Sequence, residues 1–139
     1  MSIVQLHVPG ARVLDLFAGT GALGLEALSR GAGSVDFVES ATSSLRLLRE
    51  NVAGLGAESD VTIHRADAVT FAEALAADSY DLAFADPPYA SDAAARLAEA
   101  WAAAPFAGVL GIEHPSNVTL PAGGTRRRYG TTSITFFGL

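Results

Sequence analysis

The sequence contains no cysteine and no lysine. Without cysteine there is no disulfide and no thiolate metal site. All nine basic residues are arginine, against fifteen acidic ones, and the formal net charge is −6. That balance argues against a large nucleic-acid-binding surface within the chain. No apolar run reaches the roughly 18 residues of a membrane-crossing helix. The opening "MSIVQLHVPG" has neither the basic start nor the long apolar stretch of a signal peptide. No membrane is expected, and the cytoplasm is the expected location. His7, His64 and His114 are scattered without metal-ligand spacing, and no Ser-His-Asp order suggests a hydrolase. No metal is expected.

What is present is a hydrophobic chain of one-domain size. Of its 139 residues, 50% are apolar, enough to build a single core over 1–139. "RVLDLFA" (12–18) is a short apolar run of the kind buried on both faces of a sheet. Alternating or apolar stretches at 34–40, 60–67, 80–86 and 108–114 predict four more strands. Helical spacing predicts helices over 22–30, ended by Gly31, over 43–52, stopped by Gly54, and over 70–77 and 91–104. Trp101 and Phe106 read as core. The stretch 126–138 predicts a hairpin turning at Gly130. Strands alternating with helices and joined by short connections favour a parallel sheet with right-handed crossovers. The expected fold is a three-layer, doubly wound, Rossmann-like α/β domain with a C-terminal antiparallel hairpin.

In such a sheet, ligands bind beyond the carboxyl ends of the strands, where strand order reverses. The chemistry-bearing residues fall at those ends. The first strand carries Asp15 and then "GTGALG" (19–24), the second ends in Glu39, the third in Asp67, and the fourth in Asp86-Pro87-Pro88-Tyr89. Glu39 falls 18 residues after Gly21, close to the spacing of a dinucleotide fingerprint. Glycines let backbone approach a ligand, and the carboxylate accepts from both ribose hydroxyls. An adenosine-type cofactor is expected. NAD would bring two phosphates to an edge holding Asp15, Glu39, Asp67 and Asp86, with Arg65 the one obvious base nearby. S-Adenosylmethionine brings a sulfonium and an ammonium instead, which four carboxylates favour. Asp15 can hold its ammonium and Asp67 can accept from the adenine amino group.

The turn at Asp86–Tyr89 has its own logic. Prolines carry no N–H, so it offers acceptors: the Asp86 carboxylate and the Pro87 carbonyl. An –NH2 on a flat conjugated group has two donors to match them. Both acceptors together fix its orientation and aim its lone pair at a methyl donor, while the Tyr89 ring can stack on the flat group. Guanine N2, adenine N6 in DNA and a glutamine amide all share that geometry.

These residues resemble the class I S-adenosylmethionine-dependent methyltransferases, in the amino-methylating branch with a D/N-P-P-Y/F motif. "VLDLFAGTGALGLEALSRGAGSVDFVES", "DPPY" and "RRYGTTSITFF" are similar to the RsmD family, which methylates N2 of a guanine (guanine 966) in 16S ribosomal RNA. The resemblance covers about residues 12–139. It implies Asp15, Gly19 and Gly21 at the methionine end of the cofactor, with Phe17 and Ala18 beside them. It implies Glu39 and Ser40 at the ribose, Asp67 and Ala68 at the adenine, and Asp86, Pro87, Pro88 and Tyr89 at the target base. The partner it implies is 16S rRNA in the small ribosomal subunit, with Arg126, Arg127 and Arg128 as candidate RNA contacts; a monomer is expected. Family members carry a basic segment with an R-P-T-like stretch before the first strand, whereas here that strand begins about a dozen residues in. The expectation is a form lacking that segment, with weakened cofactor affinity and poor RNA methylation.

Overall fold

The computed structural model describes residues 6–139. Five strands form a parallel array: β1 (Arg12–Leu16), β2 (Ser34–Glu39), β3 (Val61–Arg65), β4 (Tyr80–Ala85) and β5 (Ala107–Pro115). A C-terminal hairpin of β6 (Thr125–Tyr129) and β7 (Thr132–Phe137) joins it antiparallel, through β7 against β5. The sheet order is β3-β2-β1-β4-β5-β7-β6. From β1 the chain steps outward to β2 and β3, then returns to place β4 on the other side of β1. The reversal point therefore lies between β1 and β4, and the carboxyl ends of those two strands bound the crevice where ligands bind in such sheets.

The two faces explain why the parallel strands read as apolar runs. Val13, Val35, Phe37, Leu82 and Phe84 pack with Leu45, Leu48 and Val52 of α2 (Thr42–Gly54) and Ala27 of α1 (Ala22–Ser29). The intervening residues Leu14, Leu16, Val38, Ala83 and Ala85 pack on the opposite face. Their partners are Ala68, Val69 and Ala72 of α3 (Ala68–Glu73) and Leu97 and Ala98 of α4 (Ala93–Ala103). Period-two alternation feeds both layers at once, giving the three-layer arrangement expected. Phe106 is fully buried, and the Trp101 indole N–H donates to the Ala107 carbonyl at 2.9 Å.

Some predicted boundaries move. Residues 17 and 18 leave the first strand, since Phe17 turns to φ 58°. The second helix runs through Gly54, and the positive φ of 64° that ends it belongs to Gly56. α3 starts two residues early, because Asp67 caps it by accepting from the Thr70 N–H at 2.9 Å. The hairpin turns at Gly130, as predicted, with φ 64°.

Gly24 is required where α1 crosses β2. A Cβ there would lie 2.4 Å and 2.8 Å from the Phe37 ring and 2.9 Å from Val35 Cγ1. Replacing Gly24 with alanine is expected to lower the melting temperature by several degrees. Overpacking costs roughly 1–3 kcal/mol and outweighs the helix-propensity gain of up to about 1 kcal/mol. An unchanged or raised melting temperature in a thermal scan would contradict that close approach.

Candidate active site

The crevice at the β1–β4 reversal is built by hydrogen bonds between its own loops. Gly21, at φ 85°, opens α1, and a Cβ on it would fall 2.3 Å from Leu48 Cδ1. The first N–H groups of α1 have no partner within the helix. Asp15, 4% exposed, takes one of them: its Oδ2 accepts from the Gly24 N–H at 3.0 Å. Glu39 ties two loops together. Its Oε1 accepts from the Gly19 N–H at 2.8 Å, and its Oε2 accepts from the N–H groups of Ser40 and Ala41 at 3.0 and 2.8 Å. The glycine loop is held from its other side by the Asn51 amide, which donates to the Thr20 carbonyl at 2.9 Å.

Three depressions adjoin one another here. One, of about 420 Å3, is walled by the glycine loop and start of α1, with Asp15, Phe17, Ala18, Gly19 and Glu26, and closes on Asp86 and Glu113. A more open one runs from Phe17, Glu39 and Ser40 across to Asp86, Pro87, Pro88 and Tyr89. A small third one, of about 70 Å3, lies behind Pro87, Pro88 and Tyr89 against α4 and the end of β5. Pro87 is buried, whereas Asp86, Pro88 and Tyr89 are exposed. The Tyr89 hydroxyl is 2.7 Å from Thr132 Oγ1, which anchors the turn to the hairpin.

The first two depressions have carboxylates in their walls and no arginine. Burial pushes the Asp15 carboxyl up to about 7, against the Gly24 hydrogen bond, and Glu39 and Asp86 add to the rise. Such a wall repels phosphates and attracts a cation. Glu39 donates nothing and keeps lone pairs to spare, so it can still accept from hydroxyls. Buried Asp15, short of positive neighbours, suits an ammonium. The donor set fits S-adenosylmethionine and opposes a dinucleotide. Among the described residues no group of three or more His, Asp or Glu could hold a metal ion, and no helix is long and apolar enough to cross a membrane.

Most residues singled out in the sequence border this crevice, and some do not. Asp15, Phe17, Ala18, Gly19, Glu39, Ser40 and Asp86 to Tyr89 line it. Gly21 shapes the loop from beneath. Asp67 and Ala68 border none of the three depressions; Asp67 caps α3, which holds its carboxyl below the usual range, and Ala68 is buried in the core. Arg65 points a guanidinium nitrogen at Thr42 Oγ1, 3.2 Å away. Arg126 to Arg128 lie on the edge strand β6 with alternating side chains. The Arg126 guanidinium donates to Ser133 Oγ and the Ser116 carbonyl, and Arg128 Nε donates to the Gly130 carbonyl. Thr20, Ala22, Leu23 and Glu26 are additions. Ala22 and Glu26 are four apart on one face of α1, a spacing legible once the glycine loop is taken as the helix start.

Strand order, glycine loop, acid at the end of β2 and proline turn after β4 together define a class I methyltransferase fold. Within that class, the family described as Conserved hypothetical protein 95 matches residues 1–138, and the chain belongs to it. A Bacillus subtilis relative named "Putative rRNA methyltransferase YlbH" is 32% identical over 125 residues, which are 86% of this chain and 68% of that one. The Escherichia coli (strain K12) "Ribosomal RNA small subunit methyltransferase D" is 38% identical over 79 residues, 57% of this chain and 39% of that one. A solved "conserved hypothetical protein" of Streptococcus pyogenes superposes with a TM-score of 0.77 at 31% identity, covering 92% of this chain and 85% of that one.

Proposed function

We propose that residues 1–139 form the catalytic unit of an S-adenosylmethionine-dependent methyltransferase acting on N2 of a guanine in 16S rRNA of the small ribosomal subunit. One observation carries the reading: Asp86 borders both the glycine-loop depression and the open depression formed by Pro87, Pro88 and Tyr89. A group that holds the acceptor amine at that point holds it beside the cofactor. The family match and the rRNA methyltransferase names of the relatives support the substrate class.

When bound, S-adenosylmethionine supplies an electrophilic methyl group on a sulfonium. Asp15 would face its ammonium and Glu39 its ribose hydroxyls. Asp86 and the Pro87 carbonyl accept from the two hydrogens of the target –NH2, turning its lone pair toward the methyl. Asp86 or water then takes the proton that the methylated nitrogen sheds. Tyr89, half exposed and fixed through its hydroxyl, offers a face for a base splayed from its stack.

The test is methyl transfer from labelled S-adenosylmethionine to small subunits from cells lacking the modification, followed by nucleoside mass spectrometry. N2-methylguanine in 16S rRNA is the expected product. N6-methyladenine, or label in protein alone, would overturn the assignment.

A further inference from the structure

The motif does not by itself separate guanine from other carriers of a flat –NH2, yet the crevice holds a residue suited to that choice. Glu113, near the end of β5, borders all three depressions, and among the described residues no other side chain does. Its strand pairs with β4 in parallel through Ala85 and Ile112, which sets Glu113 alongside Asp86. Its carboxyl is pushed up first by burial and then by the nearby Asp86 charge. It is a half-buried carboxyl lining the crevice within hydrogen-bonding reach of the Asp86 side chain, and it brings further acceptor oxygens to that point. The small depression contains one other ionisable side chain with ring nitrogens, His114, and both of those are engaged, with the Pro115 carbonyl and Thr135 Oγ1.

Guanine presents three donor hydrogens on one edge, two on N2 and one on N1. Asp86 and Pro87 account for the two on N2. The remaining N1–H needs an acceptor beside them. We infer that Glu113 accepts the N1–H of the target guanine and is the residue that selects guanine over bases carrying a lone pair at that position. Adenine and 2-aminopurine both have a bare N1, and that lone pair would face the carboxylate oxygens. A site built to receive a hydrogen bond rejects an analogue lacking the donor far more strongly than it rejects a small change in shape. A glutamine amide has no second donor in that position either.

This inference rests on the guanine N2 reading above, and its test separates the two. Wild-type chain, Glu113→Gln and Glu113→Ala are compared on unmethylated small subunits and on RNA oligonucleotides carrying either guanine or 2-aminopurine at the target position. S-Adenosylhomocysteine affinity is measured by calorimetry for each. Expected results are affinity within about threefold of wild type for both variants, guanine transfer reduced at least 100-fold in Glu113→Ala, and a smaller loss in Glu113→Gln, whose Oε1 still accepts. Both variants should narrow the preference for guanine over 2-aminopurine, and Glu113→Gln, whose amide can donate to a bare N1, should narrow it further or reverse it. Wild-type formation of N2-methylguanine with an equal rate for Glu113→Ala would overturn the role of Glu113 and leave the proposed function standing. Loss of S-adenosylhomocysteine affinity in step with the loss of transfer would also overturn it, by assigning Glu113 to the cofactor. A wild-type product other than N2-methylguanine would overturn both.

Discussion

Replacing Asp86 with alanine is expected to reduce methyl transfer by on the order of 1,000-fold while S-adenosylhomocysteine affinity stays within a few-fold of wild type. The magnitude follows from the two tasks given to that carboxylate. In the proposed mechanism it orients a weak nucleophile whose lone pair is delocalised, and misplacing a reacting group by about 1 Å costs on the order of 100-fold. It also stabilises the charge that grows on the nitrogen as the methyl arrives, a role worth roughly 100- to 1,000-fold per group in comparable sites. The affinity expectation follows from position. Asp86 is exposed, whereas Asp15 is buried and the loop held by Glu39 walls the same depression. Asp86→Asn is the informative companion, since its Oδ1 still accepts from the amine. It should keep more activity than Asp86→Ala. The measurement is single-turnover transfer to unmethylated small subunits, with calorimetric binding in parallel. Turnover near the wild-type rate by Asp86→Ala would remove the carboxylate from the chemistry.

The parts of this architecture legible in the sequence are those fixed by period and by local chain chemistry. β1, β2 and β4 are buried on both faces, so they stand out as apolar runs, and the residues after them fall at one edge by topology alone. Boundaries were less legible where side-chain hydrogen bonds decide them. Asp67 begins α3 by capping it, so a residue read as an adenine acceptor proves to spend one oxygen on Thr70. The same holds for the arginines of β6. Alternation along a strand is legible and splits them between two faces, whereas the hydrogen bonds of the Arg126 guanidinium to Ser133 and the Ser116 carbonyl are not. Glu113 reads in the sequence as an acid that ends a strand and can face the site. Its place where three depressions meet depends on β5 lying next to β4, a long-range pairing that no local pattern encodes. The buried state of Asp15 was likewise hidden, since one acid in an apolar run gives no sign of which layer covers it.

That burial makes Asp15→Asn the second large effect, with opposite signs on stability and binding. A carboxyl held near 7 in the folded protein stays protonated at pH values where the unfolded chain has already lost its proton. Between about pH 4 and about pH 7 the folded state therefore binds more protons, and stability falls as pH rises through that window, then levels off. Ionised Asp15 is a cost to the fold above pH 7. Asparagine keeps an oxygen to accept the Gly24 N–H and carries no charge, so it should be more stable than wild type at pH 8 by roughly 2–4 kcal/mol. That corresponds to a rise in melting temperature of roughly 5–15 °C. Below about pH 4, where the carboxyl is protonated in the folded and the unfolded chain alike, the two should nearly coincide. Binding should move the other way. A cation beside Asp15 favours the carboxylate, so cofactor binding near pH 7 should release a proton and weaken as pH falls below about 7. Asp15→Asn should bind S-adenosylmethionine at least 10-fold more weakly at pH 8 and show no such proton release. Melting curves from below pH 4 to pH 8 and calorimetry in buffers of different ionisation enthalpy measure both effects. A variant less stable than wild type across that range would show that Asp15 is held ionised by contacts in the folded protein, and a variant with unchanged affinity would place the ammonium elsewhere.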